Sequence, residues 1–253
     1  MNSWIELPFE KIFLYIEEQD HIDTKDLKGF IEEKTDRPVE LKGGFFQEKY
    51  HEGLEEKIAG TRVREKTERV FQEPLPKEVE IERRIIKEGK EILGIIYDGF
   101  RLTQIMRQLL TQEEKREHTV AVTKRTVGTL EKNENRYHVR VILASIPSLV
   151  SLSGIVEGPA KPRDYYLAER GEKEKTLDFQ PMHHDDERMQ SAVESYLLQT
   201  IFWRLVGDPF CSREKCCLYN SHWQKEVIEN QLDGELCGEH RETLNQFREE
   251  KLS

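Results

Sequence analysis

No cysteine occurs in the first 210 of the 253 residues, and all four lie between Cys211 and Cys237. That excludes a disulfide framework spread over the chain and argues against scattered core use. Long apolar runs are missing too: no segment approaches the roughly 18 consecutive apolar residues of a membrane-spanning helix, so no membrane association is expected. The opening MNSWIELPFEKIFLYIEE lacks the basic start and small-residue cleavage site of a secretory leader;. A cytoplasmic location is expected, where thiols stay reduced. Lys and Arg number 39 against 49 Asp and Glu, a formal net charge of −10 with no dense basic block. Nucleic-acid binding needs a basic face that displaces counterions from phosphate, so no nucleic-acid partner is expected. GxSxG, Walker and GxGxxG motifs are absent, as are internal repeats.

The clustered cysteines form a pair–spacer–pair layout. Four residues separate Cys211 from Cys216, two separate Cys237 from His240, and twenty lie between the pairs. Thiolate and imidazole suit Zn²⁺, and a closed Cys₃His site leaves no position open for water or substrate, so one structural zinc is expected. Cys217 competes with Cys216 as the second ligand; adjacent residues in a tight loop usually point apart, and Cys216 is the better choice.

Periodicity places the elements. KIFLYI (11–16) and PVEL (38–41) read as strands, and between them Asp23 caps a helix with Leu27, Phe30 and Ile31 on one face;. Residues 43–90 predict a helix and irregular connections. EILGIIYDG reads as a strand or buried turn, 100–110 as an amphipathic helix, and 119–123 and 137–144 as strands. SLSGIVEGPAKPRDYYLAE reads as extended, its prolines confining it to a sheet edge. Residues 185–207 give the strongest helix signal, with acids at its start and Gly207 at its end. Met189, Val193, Leu197, Ile201 and Leu205 should face the core. Two helices follow, the first capped by Ser221. The expected class is α+β: a mixed α/β sheet subdomain over 1–180, then the long helix with a zinc-bound helical subdomain over 181–253, in one compact unit.

Two further groups are candidates. His183, His184, Asp185 and Asp186 precede the long helix and could form a relocated metal site, or a solvated helix start. Glu157 and Arg163, followed by Tyr165 and Tyr166, could rim a ligand cleft.

The long helix, its closing glycine, C-x₄-C and the later C-x-x-H resemble archaemetzincin metallopeptidases, whose motif runs HExxHxxGxxHC-x₄-C-x-M with a later CxxC. The chain is most similar to an archaeal branch of metallopeptidase-like sequences that lacks HExxHxxGxxH. The resemblance implies a metzincin-like twisted mixed sheet packed on the long helix, with C-terminal helices around the structural zinc. It places Gly207 on the motif glycine and His240 at the fourth ligand of the cysteine-bound zinc. The catalytic ligands would fall at Thr200, Arg204 and Phe210, and the general base at Ile201; the segment reads TIFWRLVGDPF. None of these residues can ligate or activate water as the motif requires. The resemblance therefore implies a metallopeptidase-like zinc protein without catalysis, its old cleft and a GIVEGPA edge strand kept for a peptide or protein partner, with Arg204 paired to a carboxylate such as Glu157. The alternative is an active hydrolase built on another constellation.

Overall fold

The computed structural model describes residues 9–70, 72–89, 94–172, 178–232 and 235–249. Strand β1 (Ile12–Ile16) is buried along its whole length. Its side chains alternate between two cores: Ile12, Leu14 and Ile16 join one, Phe13 and Tyr15 the other. A strand covered on both faces reads as a continuous apolar run. Helix α1 (Thr24–Thr35) starts where Asp23 accepts from the N–H groups of Lys25 and Asp26, at 2.8 and 3.1 Å. It leads to β2 (Val39–Lys42), which pairs with β1 in parallel. The expected β-α-β opening is present.

Three helices then fill the charged stretch, α2 (Phe45–Glu48), α3 (Leu54–Ala59) and α4 (Pro76–Glu88). Of EILGIIYDG, residues 91–93 lie outside the described residues; the remainder contains β3 (Ile96–Asp98). Next come α5 (Gly99–Leu109), α6 (Gln112–Arg116), β4 (His118–Thr123), β5 (Thr126–Thr129), β6 (His138–Arg140), β7 (Ile142–Leu143) and β8 (Ser148–Ser151). The last helices are α7 (Leu152–Glu157), α8 (Arg163–Glu169), α9 (Met189–Val206), α10 (Gln224–Asn230) and α11 (Gly238–Glu249). The larger sheet has the order β2-β1-β4-β8-β7, parallel except for β7, and the smaller has the order β3-β5-β6. Both are mixed, so the fold is α+β. One face of the larger sheet packs on α1 and α9, and the other on residues from α2, α3 and α5.

The segment read as an edge strand is corrected. Of that segment only its first residue, Ser151, is in a strand, as the end of β8; GIVEGPA lies in and just after α7, and DYYLAE in α8. Ser151 Oγ accepts from Gly154 N at 2.8 Å, an N-cap that turns the chain into a helix;. Leu152, Ile155 and Val156 then fall at helical spacing and are buried. Gly154 is required there, because a Cβ would stand 2.3 Å from the carbonyl oxygen of Arg140. Pro162 ends the connection at the N-cap of α8. Among the described residues the edges of the larger sheet are β2 and β7.

Helix α9 begins at Met189, later than its acidic lead-in implied, because Asp186 is spent on Arg188, accepting from its N–H and guanidinium at 2.9 and 2.6 Å. Gly207, at φ 80°, caps its end and donates to Trp203 O at 2.9 Å;. Met189, Val193, Leu197 and Ile201 are at most 1% exposed, while Leu205 is half-buried at the core margin. Leu197→Ala should therefore cost about 2–5 kcal/mol in denaturant unfolding, and Leu205→Ala clearly less. Equal losses at the two positions would contradict the packing.

Candidate metal centre

The turn after α9 presents the first two cysteines. Cys211 N donates to Leu218 O at 2.8 Å and Asn220 N to Cys211 O at 3.3 Å, so the backbone folds back on itself. Lys215 takes a left-handed φ of 65°, unusual for a residue with a Cβ;. Its N–H donates to Asn230 Oδ1 at 2.6 Å, which helps to hold the strained position. The second pair arrives beside it because Cys217 N donates to Glu235 O at 2.7 Å, and His240 follows in the first turn of α11. His240 Nδ1 lies 3.0 Å from Cys237 Sγ and 3.8 Å from Cys216 Sγ. The ring packs edge-on against Phe202 of α9, centroids 5.1 Å apart.

Ligand atoms of Cys211, Cys216, Cys237 and His240 all lie within 4.8 Å of one another. A tetrahedral zinc with Zn–S of about 2.3 Å sets ligands a little under about 4 Å apart, so small side-chain rotations would close this set on an ion. Backbone N–H groups already point at the sulfurs: Arg213 N at 3.3 Å from Cys211 Sγ and Cys237 N at 3.5 Å from Cys216 Sγ. Such donors favour thiolate, the form that binds metal. Cys216 is held below the ordinary thiol range, first by a hydrogen bond from the Cys217 thiol and also by the Cys237 and Leu218 N–H groups. Cys217 is raised by the same bond and by burial. Cys217 is thus a fully buried donor to the ligand Cys216 and stands outside the ligand set.

Two buried glutamines that sequence reading missed tie this segment to the rest. Gln231 donates to Cys217 O and Tyr219 O at 3.3 and 2.7 Å, accepts from Ser221 Oγ at 2.8 Å, and offers its carbonyl to Ser195 Oγ of α9. Gln224 accepts from Met182 N at 3.2 Å and donates to Val156 O at 3.1 Å. The available signal was their position seven apart, bracketing the apolar Val227 and Ile228 of one short helix. The Ser221 hydroxyl is committed to Gln231, so the expected cap is corrected. Glu226 caps α10 instead, accepting from His222 N and Trp223 N at 2.7 and 3.0 Å.

The positions where the resemblance puts a catalytic metal are not gathered around a cleft. Thr200 is fully buried; its hydroxyl donates to Leu197 O at 2.8 Å and lies 3.2 Å from His118 Nε2 at the start of β4. Ile201 is core, and Phe210 is exposed. Arg204 donates to Arg116 O at 2.7 Å. The expected Arg204–Glu157 pair is corrected: Glu157 ends α7 and faces His184 Nε2 at 3.5 Å, and Glu117 is the carboxylate whose field reaches Arg204. Arg163 is exposed at the start of α8 and does not meet Glu157. His183, His184, Asp185 and Asp186 form no metal-holding group, the cysteine–histidine set being the one such group among the described residues.

Two measurements follow. Cys216→Ala should release zinc from purified protein, whereas Cys217→Ala should retain it; the reverse in elemental analysis would reassign the ligand. His118 is pushed down to about 3, first by burial and then by the Arg204 cation. Its folded-state value lies below the ordinary 6.5, so the unfolded chain binds the proton first. Its stabilising share is present above pH 6.5 and is lost as pH falls toward 3;. Relative to His118→Gln, the wild type should lose about 1.4 kcal/mol per pH unit in that window. Parallel stability–pH curves would show that the ring is not enclosed as described.

The crystal structure of a zinc-dependent peptidase from Methanocorpusculum labreanum (strain Z) is similar to the chain with a TM-score of 0.43 and 15% identity, covering 92% of this chain and 100% of that one. No curated protein matches. Residues 8–247 match the family described as "Probable metallopeptidase family (DUF6775)", and over nearly its whole length the chain belongs to that family.

Proposed function

We propose that this protein is a zinc-holding, non-catalytic member of its metallopeptidase family, with a metzincin-like arrangement of sheet and long helix, that binds a peptide or protein partner. One contrast carries the reading. Four soft ligands converge at residues 211–240, while the helix positions that would form a hydrolytic centre carry Thr200, Ile201, Arg204 and Phe210. A hydrolytic zinc needs an open coordination position, where the metal lowers the pKa of its water, and a base to take the proton. A Cys₃His set fills all four positions, and arginine brings a permanent cation to the place of a ligand. In this reading zinc cross-links the turn after α9 to α11 and contributes folding free energy on the order of 10 kcal/mol, as in small structural sites. Residues 181–253 then depend on the metal more than 1–180 do. The partner would be an extended segment added to an open sheet edge, β2 being the longer of the two;.

Elemental analysis and a peptide-library assay test this together. One zinc per chain that resists mild chelation, with no metal-dependent cleavage, is the expected result. A second, exchangeable metal accompanied by zinc-dependent cleavage that survives Cys216→Ala would overturn it.

A further inference from the structure

The two ends of the larger sheet differ. At the amino end of β4, His118 and Thr200 close the core. At the carboxyl ends of β1, β2 and β4 the chain leaves a cavity of about 760 Å³, within the roughly 300–1,000 Å³ of small-molecule sites. The β1 connection leads to α1 on one face, and the β4 connection leads to β5, whose Val127 joins the core of the other face. Adjacent parallel strands whose connections part in this way leave a crevice between them, where open α/β sheets bind ligands.

The wall chemistry narrows the ligand. Arg125 lines the cavity at 6% exposure. Glu17 accepts from Nη1 at 3.1 Å, Glu82 from Nη2 at 3.3 Å, and the guanidinium lies over the rings of Phe46 and Tyr97 at 4.8 and 5.6 Å. Its Nε–H has no acceptor among the described residues, although burying an unpaired donor is unfavourable by about 1–3 kcal/mol;. Around the mouth stand the acids Glu18, Asp20 and Glu88, with Asp23 at the α1 cap, and the cations Lys25 and Lys124. Glu18, Asp20, Lys25 and Lys124 form no ion pair among the described residues. The amino end of α1 and the carboxyl end of α4 also border the space, with opposite helix-dipole signs;. The β1–α1 loop, EEQDHID, has no glycine and four acids, which repels phosphate;. A simple anion would meet Glu18, Asp20 and Glu88, and a simple cation Lys25, Lys124 and Arg125. A molecule with one charge of each sign satisfies both sets.

We infer that this cavity is a binding site for a zwitterionic ligand of the amino-acid or short-peptide class. The ammonium is received by Glu18 and Asp20, the carboxylate by Lys124, Lys25 and, after a small shift, Arg125 Nε, and the apolar body rests against Phe46, Tyr97 and Ile85. The site lies at the opposite end of the sheet from Arg204 and is independent of the zinc reading. Calorimetry on the full-length, zinc-loaded chain should detect binding of free amino acids or of Leu-Phe and Phe-Leu dipeptides. N-acetylation or C-amidation should each weaken it about tenfold, the loss of one charged contact. Inorganic phosphate should give no heat. Glu18 is exposed and Lys124 half-buried at the rim; Glu18→Gln and Lys124→Gln should fold normally and should each weaken the free probe while narrowing the gap to the probe blocked at the matching end. The site is refuted if no free probe binds, if blocked and free probes bind equally, if phosphate binds instead, or if both rim variants bind unchanged. Mass spectrometry of the probe keeps the two readings apart: bound peptide, intact or cleaved, supports the site, and cleavage counts only against the absence of catalysis.

Discussion

Helix α9 has no solvent face along its middle, and much else depends on that. Every residue from Ser195 to Phe202 is buried. The sheet, α1 and the zinc segment press on it from different sides, so a polar residue there must find its partner inside the protein. Thr200 finds Leu197 O and His118, Ser195 finds Gln231, and Gln199 donates to Tyr219 O at 3.5 Å, although its Oε1 has no partner among the described residues. A helix so enclosed can couple a sheet to the cysteine-bearing turn, but it offers no open wall at Thr200.

Phe202 links that helix to the metal site. Its ring meets His240 edge-on, so packing in the core fixes the orientation of one ligand, while Gln231 fixes the loop that carries two others. Metal sites are tuned by such outer contacts as well as by their ligands. Here the outer contacts are unusually buried. Gln224, Gln231 and Cys217 are all fully enclosed, and each satisfies a polar group of the turn, the lead-in to α9 or the metal knuckle.

Much of this was legible in the chain. The IFLYI run, the Asp23 cap, the stripe from Met189 to Ile201, and the Cys–Cys–Cys–His spacing each carry a local physical signal that survives in the fold. The failures were equally physical. GIVEGPA was misread because Pro159 and Pro162 suggested an edge, whereas Ser151 as N-cap and the Leu152–Ile155–Val156 spacing specify a short helix. The Arg204–Glu157 pair failed because charge complementarity says nothing of distance. Glu157 ends α7, where the turn directs it to His184, and Arg204 reaches a backbone carbonyl of α6. The cavity at the carboxyl ends of the strands could not be read at all, since its walls come from five separate segments that only the strand order brings together.

That strand order gives the molecule two chemically unlike ends. At one end His118 is kept neutral by enclosure, with a guanidinium nearby that further disfavours its proton, and Lys11 pairs with Glu40 and Glu113 at the margin. At the other end charge is abundant and only partly used. The Glu17–Arg125–Glu82 chain is internally neutralised, with Arg62 donating to Glu82 at 2.6 Å, yet Glu18, Asp20, Lys25 and Lys124 form no ion pair among the described residues. A sheet needs buried, satisfied polar groups for stability, and it needs unsatisfied ones at a mouth for recognition. The cysteine-bearing turn packs in the same core as α9, and α11, which carries His240, reaches Phe9 through Phe247. The strand order that encloses His118 beside Thr200 at one end leaves at the other a cavity of about 760 Å³ bordered by charged side chains.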